Sequence, residues 1–163
     1  MNWEALGAIG DLVGAVAVVA TLVYLAIQVR QNTRAMQAQT RDSMTTKQMM
    51  ISGWVATNRP LADAYNLATI GKLQPGTAEV RMYAMLQMGI WREWENSLYQ
   101  YEEGLFQEGE FAPRRTRWLR SMQSPAARDL WRSTRDEFSP RFRAEIDKIV
   151  SEIEPQDKDS GAA

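Results

Sequence analysis

Glu95 is the acidic residue whose sequence context comes closest to that of a catalytic acid or base. It lies beside Trp91, Trp94 and Leu98 on one predicted helix, which leaves acid–base chemistry by carboxylates formally open. A charged residue at the edge of an apolar stripe is, however, usually held in an ion pair. We therefore expect Glu95 to pair with an arginine and to have no catalytic role.

Most other catalytic chemistry is excluded by composition, because the chain contains no His and no Cys. An imidazole base, a thiolate nucleophile and the usual zinc or haem ligands are therefore absent, as are the Glu-x-x-His pairs of di-iron bundles. The phosphate-binding patterns GxGxxG and GxxxxGK[ST] do not occur either. We expect no enzyme activity, no catalytic residue, no metal site and no bound cofactor.

The charged residues are segregated, although the net charge of the chain is only −1. A run of glutamates over residues 93–110 is followed by a run of arginines over residues 114–143. Three readings follow, in decreasing order of preference: the two runs neutralise each other across packed helices, the arginines contact anionic lipid, or they bind nucleic acid. The last is disfavoured because the domain as a whole is not basic. The residues that could contact lipid or a partner are Arg114, Arg115, Arg117 and Arg120.

The elements that position these residues begin with an apolar segment near the N-terminus. Residues 12–29 are eighteen consecutive residues without a charge, and as a helix they would be about 27 Å long, close to the hydrocarbon thickness of a bilayer. A cleavable signal peptide would need a basic start, and a buried helix of a soluble domain would normally be shorter or have a polar face. We interpret residues 1–30 as a single transmembrane anchor that spans about residues 6–29.

The charges on either side of the segment predict its orientation. Basic residues remain on the cytoplasmic side of a span, and here they follow it while acidic residues precede it. The N-terminus should therefore lie outside and the rest of the chain in the cytoplasm. The basic residues are Arg30, Arg34, Arg41 and Lys47, and the acidic ones are Glu4 and Asp11.

Small residues recur along one face of the predicted span. Gly7, Gly10, Gly14, Ala17 and Thr21 are separated by three or four residues, which aligns them on a helix. Such a stripe lets a second helix approach closely, and packing drives helix association in lipid. We therefore expect the anchor to self-associate.

Two polar residues, Asp11 and Gln28, accompany this stripe. A carboxylate at bilayer depth is usually functional, but residues 12–29 already suffice to span, so we favour Asp11 as the marker of the outer headgroup boundary. An alternative function places several copies around Asp11, Thr21 and Gln28 as a small pore. Because a stripe of Gly and Ala packs tightly and leaves little room for water, we prefer a membrane tether to a pore.

The rest of the sequence predicts helices throughout, since no stretch alternates apolar and polar residues. The fold class is all-α: the transmembrane helix continues into a juxtamembrane helix, residues 31–57, and a cytoplasmic bundle of about five helices, residues 58–153. Residues 154–163 are predicted to be a disordered tail. The predicted breaks are at Asn58–Pro60, Gly71, Gly104, Ser124-Pro125 and Ser139-Pro140, with a fourth helix over residues 112–122.

The helix between Thr77 and Gly104 should form the centre of the domain. Large and mostly aromatic residues recur along it at helical spacing, which more often indicates a core than a cofactor pocket. They are Val80, Tyr83, Gln87, Ile90, Trp91, Trp94, Leu98 and Tyr101.

Four segments resemble an uncharacterised family of bacterial single-pass membrane proteins with a small helical cytoplasmic domain. They are EALGAIG (4–10), YLAIQVRQNTR (24–34), YQYEEGL (99–105) and FSPRF (138–142). The resemblance implies a bacterial origin and a place in the inner membrane, but it brings no activity, cofactor or catalytic residue. With the features above, it predicts a membrane-tethered interaction module that contacts membrane lipid, other copies of itself and a protein partner, and no nucleic acid.

Overall fold

The computed structural model describes residues 3–160, together with their side chains except those of residues 5, 6 and 154–160. Within this range the chain has six α-helices, one short 3-10 turn and no strand, which confirms the all-α class. The helices are α1 (Trp3–Thr57), α2 (Arg59–Thr69), α3 (Ala78–Glu102), α4 (Glu108–Met122), α5 (Pro125–Thr134) and α6 (Pro140–Ser160), and the 3-10 turn is Arg135–Glu137.

The chain forms two compact units that meet within α1, between Asp42 and Ser43. In the first unit the described side chains up to Met36 are all exposed. The second unit is a helical domain that includes residues 43–57, so the predicted juxtamembrane helix of residues 31–57 is divided between the two units. Met44 is completely buried in this domain, and the hydroxyl of Ser97 donates a hydrogen bond to its sulfur over 3.3 Å.

The core of the domain is largely aromatic and is centred on α3, as the sequence predicts. The ring of Trp94 stacks on Trp118 of α4 at a centroid distance of 5.3 Å. Trp91 meets Trp131 of α5 edge to face, also at 5.3 Å. Edge-to-face and offset pairs of this kind stabilise a core beyond the area they bury. The remaining core residues come mainly from α4, α5 and α6 and include Phe111, Phe138, Phe142, Ile146 and Ile149.

The predicted helix boundaries hold where a local residue determines them. Asn58 caps α2, because its side-chain oxygen accepts a hydrogen bond from the backbone N–H of Leu61 over 3.1 Å. Gly104 follows α3 with a φ of +72°, a left-handed conformation that favours glycine. Ser124 lies at the N-cap position of α5, but its hydroxyl donates to the carbonyl of Ala68 over 3.3 Å and so links α5 to α2.

Two boundaries differ from those that the sequence predicts. Helix α4 begins at Glu108 rather than at Ala112, because the carboxylate of Glu110 accepts a hydrogen bond from the backbone N–H of Gln107 and satisfies the first turn. Helix α6 continues to Ser160, past Ile153, where the predicted tail begins. Residues 161–163 of that tail lie outside the described residues.

Candidate functional site

The five small residues of the predicted stripe lie on α1 and face no other part of the described chain. Gly7, Gly10, Gly14, Ala17 and Thr21 are all exposed, and a Cβ atom added at any of the three glycines would meet no atom within 4 Å. The hydroxyl of Thr21 donates a hydrogen bond to the carbonyl of Ala17 over 2.8 Å. The stripe is therefore free for a partner helix, and Thr21 is satisfied by its own helix.

Asp11 and Gln28 are also exposed on α1. Asp11 forms no ion pair with any residue that the structure describes. Among residues 3–160, α1 is the one helix that is long and apolar enough to cross a membrane, which makes it compatible with an anchor. The contacts of Asp11 and Gln28 thus provide no evidence for a pore, which stays a prediction.

The predicted arginine patch divides into two pairs. Arg114 and Arg115 are partly buried in ion pairs between helices: Arg114 lies 3.3 Å from the Glu93 carboxylate, and Arg115 lies 2.6 Å from Glu145 and 3.0 Å from Glu152. This arrangement corresponds to the preferred reading, in which acidic and basic runs neutralise each other across packed helices.

Arg117 and Arg120 differ, since both are exposed and neither forms an ion pair within the described part of the chain. They follow the two paired arginines on the same helix. These two side chains are therefore the part of the predicted patch that is available to a ligand or a partner.

Two acidic residues of α3, Glu93 and Glu95, are held by ion pairs to arginines. Burial raises the pKa of Glu93, although Arg114 and a hydrogen bond from Ser97 act in the opposite direction. Glu95 lies 3.0 Å from Arg92, as predicted, and accepts a hydrogen bond from the backbone N–H of Ser139 over 2.8 Å. Burial acts to raise the pKa of Glu95, but Ser139 and Arg92 outweigh it and lower that pKa.

An open apolar groove of about 1050 Å³ lies in the helical domain between residues 47–61 and α3. Large apolar side chains on both walls remain exposed: Trp54 is 53% exposed and Met85 is 79% exposed. Met50 and Met82 lie beside them. Methionine is flexible and polarisable, so it is overrepresented on surfaces that accept varied apolar partners.

The rim of this groove is basic. Lys47, Arg59 and Arg81 line it and are exposed. Glu93 is the acidic residue among the lining side chains, and its carboxylate is engaged by Arg114. The groove thus joins an apolar floor to a positively charged edge.

Both walls of the groove have a signal in the sequence. On the first wall Met44, Ile51 and Val55 recur at helical spacing, flanked by Met50 and Trp54, and predict an apolar face that needs a partner. The opposite wall is marked by Met82, Met85 and Gly89, which recur at helical spacing on α3 away from the aromatic stripe. An added Cβ at Gly89 would meet no atom within 4 Å, so the surface is open there. That second stripe is the signal that could have predicted the groove.

No three acidic side chains among the described residues come together in a way that could hold a metal ion. Comparisons with models of protein families, with curated proteins and with solved structures find no match for this chain. The resemblance to a family of bacterial single-pass membrane proteins therefore stays a prediction.

Proposed function

We propose that this protein is a membrane-tethered interaction module. Residues 6–29 of α1 anchor it in a bacterial inner membrane with the N-terminus outside. The helical domain lies in the cytoplasm and binds a partner protein there. The proposal rests on one observation: the chain exposes two separate apolar surfaces, the span and the groove. Each surface needs an apolar environment that the single chain does not supply.

The proposed occupant of the groove is an amphipathic helix with an apolar face and acidic flanks. An apolar helix face fits a groove lined by Trp54, Met50 and Met85, as in other helix-in-groove complexes. The basic rim of Lys47, Arg59 and Arg81 selects acidic rather than basic flanks. The open surface at Gly89 lets the backbone of the bound helix approach α3 closely.

Two model peptides test this specificity in the full-length protein, held in zwitterionic lipid nanodiscs. Both carry the same leucine face at helical spacing, one with glutamate flanks and one with lysine flanks. Binding is followed by fluorescence anisotropy of the labelled peptide. We expect the glutamate peptide to bind at least about tenfold more tightly, a difference that should shrink in high salt.

Met85→Glu and Met49→Glu form a matched pair of variants for the same assay. Both methionines are highly exposed, at 79% and 71%, so neither change should affect folding, but Met85 lines the groove and Met49 does not. Met85→Glu should abolish binding of the glutamate peptide and Met49→Glu should leave it unchanged. Equal binding of both peptides, or equal effects of the two variants, would contradict the proposal. Lipid is the alternative occupant of the groove. In that case the tryptophan emission of the peptide-free protein should shift to the blue in anionic nanodiscs, and Trp54→Leu should lose this shift.

We also propose that the anchor self-associates through Gly7, Gly10 and Gly14. The open surface above these glycines supports self-association, because glycine has no side chain and lets the backbones of two helices come into close contact. Native mass spectrometry in mild detergent tests it with Gly14→Leu, and Ala15→Leu is the control because Ala15 lies off the stripe. Gly14→Leu should yield monomers while Ala15→Leu keeps the assembly. A wild-type monomer would contradict self-association and would leave the groove proposal untouched.

A further inference from the structure

A second cavity, of about 700 Å³, lies inside the helical domain and is separate in character from the apolar groove. It is bounded by residues 48–52 of α1, by α2, α3 and α4, and by the turn before α5. Its volume falls within the range of sites that bind small molecules. Several polar side chains line it, among them Gln48, Gln87 and Ser121.

Gln87 of α3 lines this cavity and has an unsatisfied amide. The side chain is 1% exposed, and its Nε2 finds no hydrogen-bond partner among the residues that the structure describes. Buried amide donors in native proteins are nearly always paired, with protein, water or a ligand. The unpaired donor is therefore available to an acceptor from outside the chain, either water or a ligand.

The other polar groups of the cavity also favour an acceptor. Burial and the neighbouring Tyr65 raise the pKa of Tyr83 to about 12, against a hydrogen bond with Ser124, so its hydroxyl stays neutral and adds no negative charge to the cavity. Arg117 and Arg120 line the same cavity and are the two arginines of the predicted patch that form no ion pair among the described residues. Guanidinium groups are donors only, and they favour carboxylate and phosphate oxygens.

The carboxylate of Glu93 also lines the cavity and would oppose an anion. It is already engaged by Arg114 over 3.3 Å and by the hydroxyl of Ser97 over 3.1 Å. Its charge is thus offset within the protein. The apolar part of the lining, including Ile90 and Trp94, provides a surface for a flat or apolar body.

We propose that this cavity binds a small aromatic or apolar acid. Its carboxylate or phosphate would lie near Arg117 and Arg120, and an oxygen acceptor at the other end would meet Nε2 of Gln87. The cavity shares Ile51 and Glu93 with the lining of the groove, but Gln87, Arg117 and Arg120 do not line the groove.

The test uses 4-hydroxybenzoate and 4-hydroxyphenyl phosphate as acidic probes and 4-hydroxybenzyl alcohol as the neutral analogue. Binding to the full-length protein in nonionic detergent is measured by calorimetry and by quenching of tryptophan fluorescence. At least one acidic probe should bind at least about tenfold more tightly than the neutral analogue, because the neutral analogue cannot form a charge-assisted contact with arginine. The stronger of the two acids identifies the anionic group.

Arg117→Gln combined with Arg120→Gln should weaken binding of the acidic probe by about tenfold or more. Arg115→Gln is the control: it lies on the same helix, is held by Glu145 and does not line the cavity. It should leave the affinity unchanged.

Gln87→Met separates binding from folding. It keeps the length of the side chain and removes the unpaired donor, so the melting temperature should stay the same or rise while the affinity for 4-hydroxybenzoate falls. Three results would overturn the proposal. The first is no binding of either acid at millimolar concentration, which would mean that water alone satisfies Gln87. The second is equal affinity in the arginine double variant and in Arg115→Gln, and the third is a lower melting temperature in Gln87→Met with unchanged affinity.

Discussion

The clearest test of the domain boundary is to replace Met44 by alanine. This residue is 0% exposed in the helical domain, although it belongs to the long α1 helix, and it accepts a hydrogen bond from Ser97 of α3. If residues 43–57 belong to the domain, the truncated side chain leaves a cavity in its core. If they are only a juxtamembrane connection, the substitution has little to destabilise.

The magnitude follows from the burial. Truncation of a fully buried methionine costs about 2–5 kcal/mol, because transfer and cavity effects add. For a domain near 100 residues, each kcal/mol lowers the melting temperature by about 4–8 °C. The expected decrease is therefore on the order of 10 °C or more, a large part of the typical stability of such a domain.

The assay is thermal unfolding of the full-length protein in detergent, followed by near-ultraviolet circular dichroism, which reports the packed tryptophans of the core. Met49→Ala is the matched control, since Met49 lies on the same helix and is 71% exposed. Its effect should stay within about 0.5 kcal/mol. If the two variants melt at the same temperature, residues 43–57 are not part of the domain and the reasoning is refuted.

Three further predictions concern the domain. Trp131→Ala should cost about 3–5 kcal/mol of unfolding free energy, because Trp131 is almost fully buried, whereas Trp54→Ala should change it little; urea titration checks both. The pKa of Glu95 is lower in the folded state than its usual value of 4.5. Ionised Glu95 therefore stabilises the fold above pH 4.5, and this stabilisation is lost as the pH falls through the lower folded pKa. Glu95→Gln should reduce the decrease in melting temperature below about pH 4.5, and an unchanged decrease would contradict the hydrogen bond from Ser139. Arg115→Ala should lower the melting temperature more at low than at high salt, because salt partly screens the two ion pairs of Arg115. A decrease in melting temperature that does not depend on salt would point to lost packing instead.

Several elements of the fold could be predicted because short-range chemistry determines them. Asn58 before Arg59-Pro60 ends α1, and Gly104 ends α3, since a capping oxygen and a left-handed φ are local requirements. The aromatic stripe of α3 follows from helical periodicity alone. The pairing of Glu95 was predicted as well, although its arginine is Arg92 on the same helix rather than one from the following run.

Other features depend on how the helices pack and are not encoded in any one segment. The burial of Met44 requires knowing that residues 43–57 pack into the domain. Likewise, the unpaired amide of Gln87 looks like any polar residue at the edge of a stripe until its neighbours are placed around it. Arg115 forms ion pairs and Arg117 forms none among the described residues, and this division depends on which face of α4 meets α6.

The measurement that tests the tether most directly is cysteine accessibility in intact cells, since the chain has no cysteine of its own. Glu4→Cys places a thiol before the span, and Thr116→Cys places one at an exposed position of the helical domain. We predict that a membrane-impermeant maleimide labels Glu4→Cys in intact cells and labels Thr116→Cys only after permeabilisation. Both proteins should stay in the membrane after alkaline extraction. Release by alkali would contradict the anchor, and labelling of Thr116→Cys in intact cells would contradict the cytoplasmic placement of the domain.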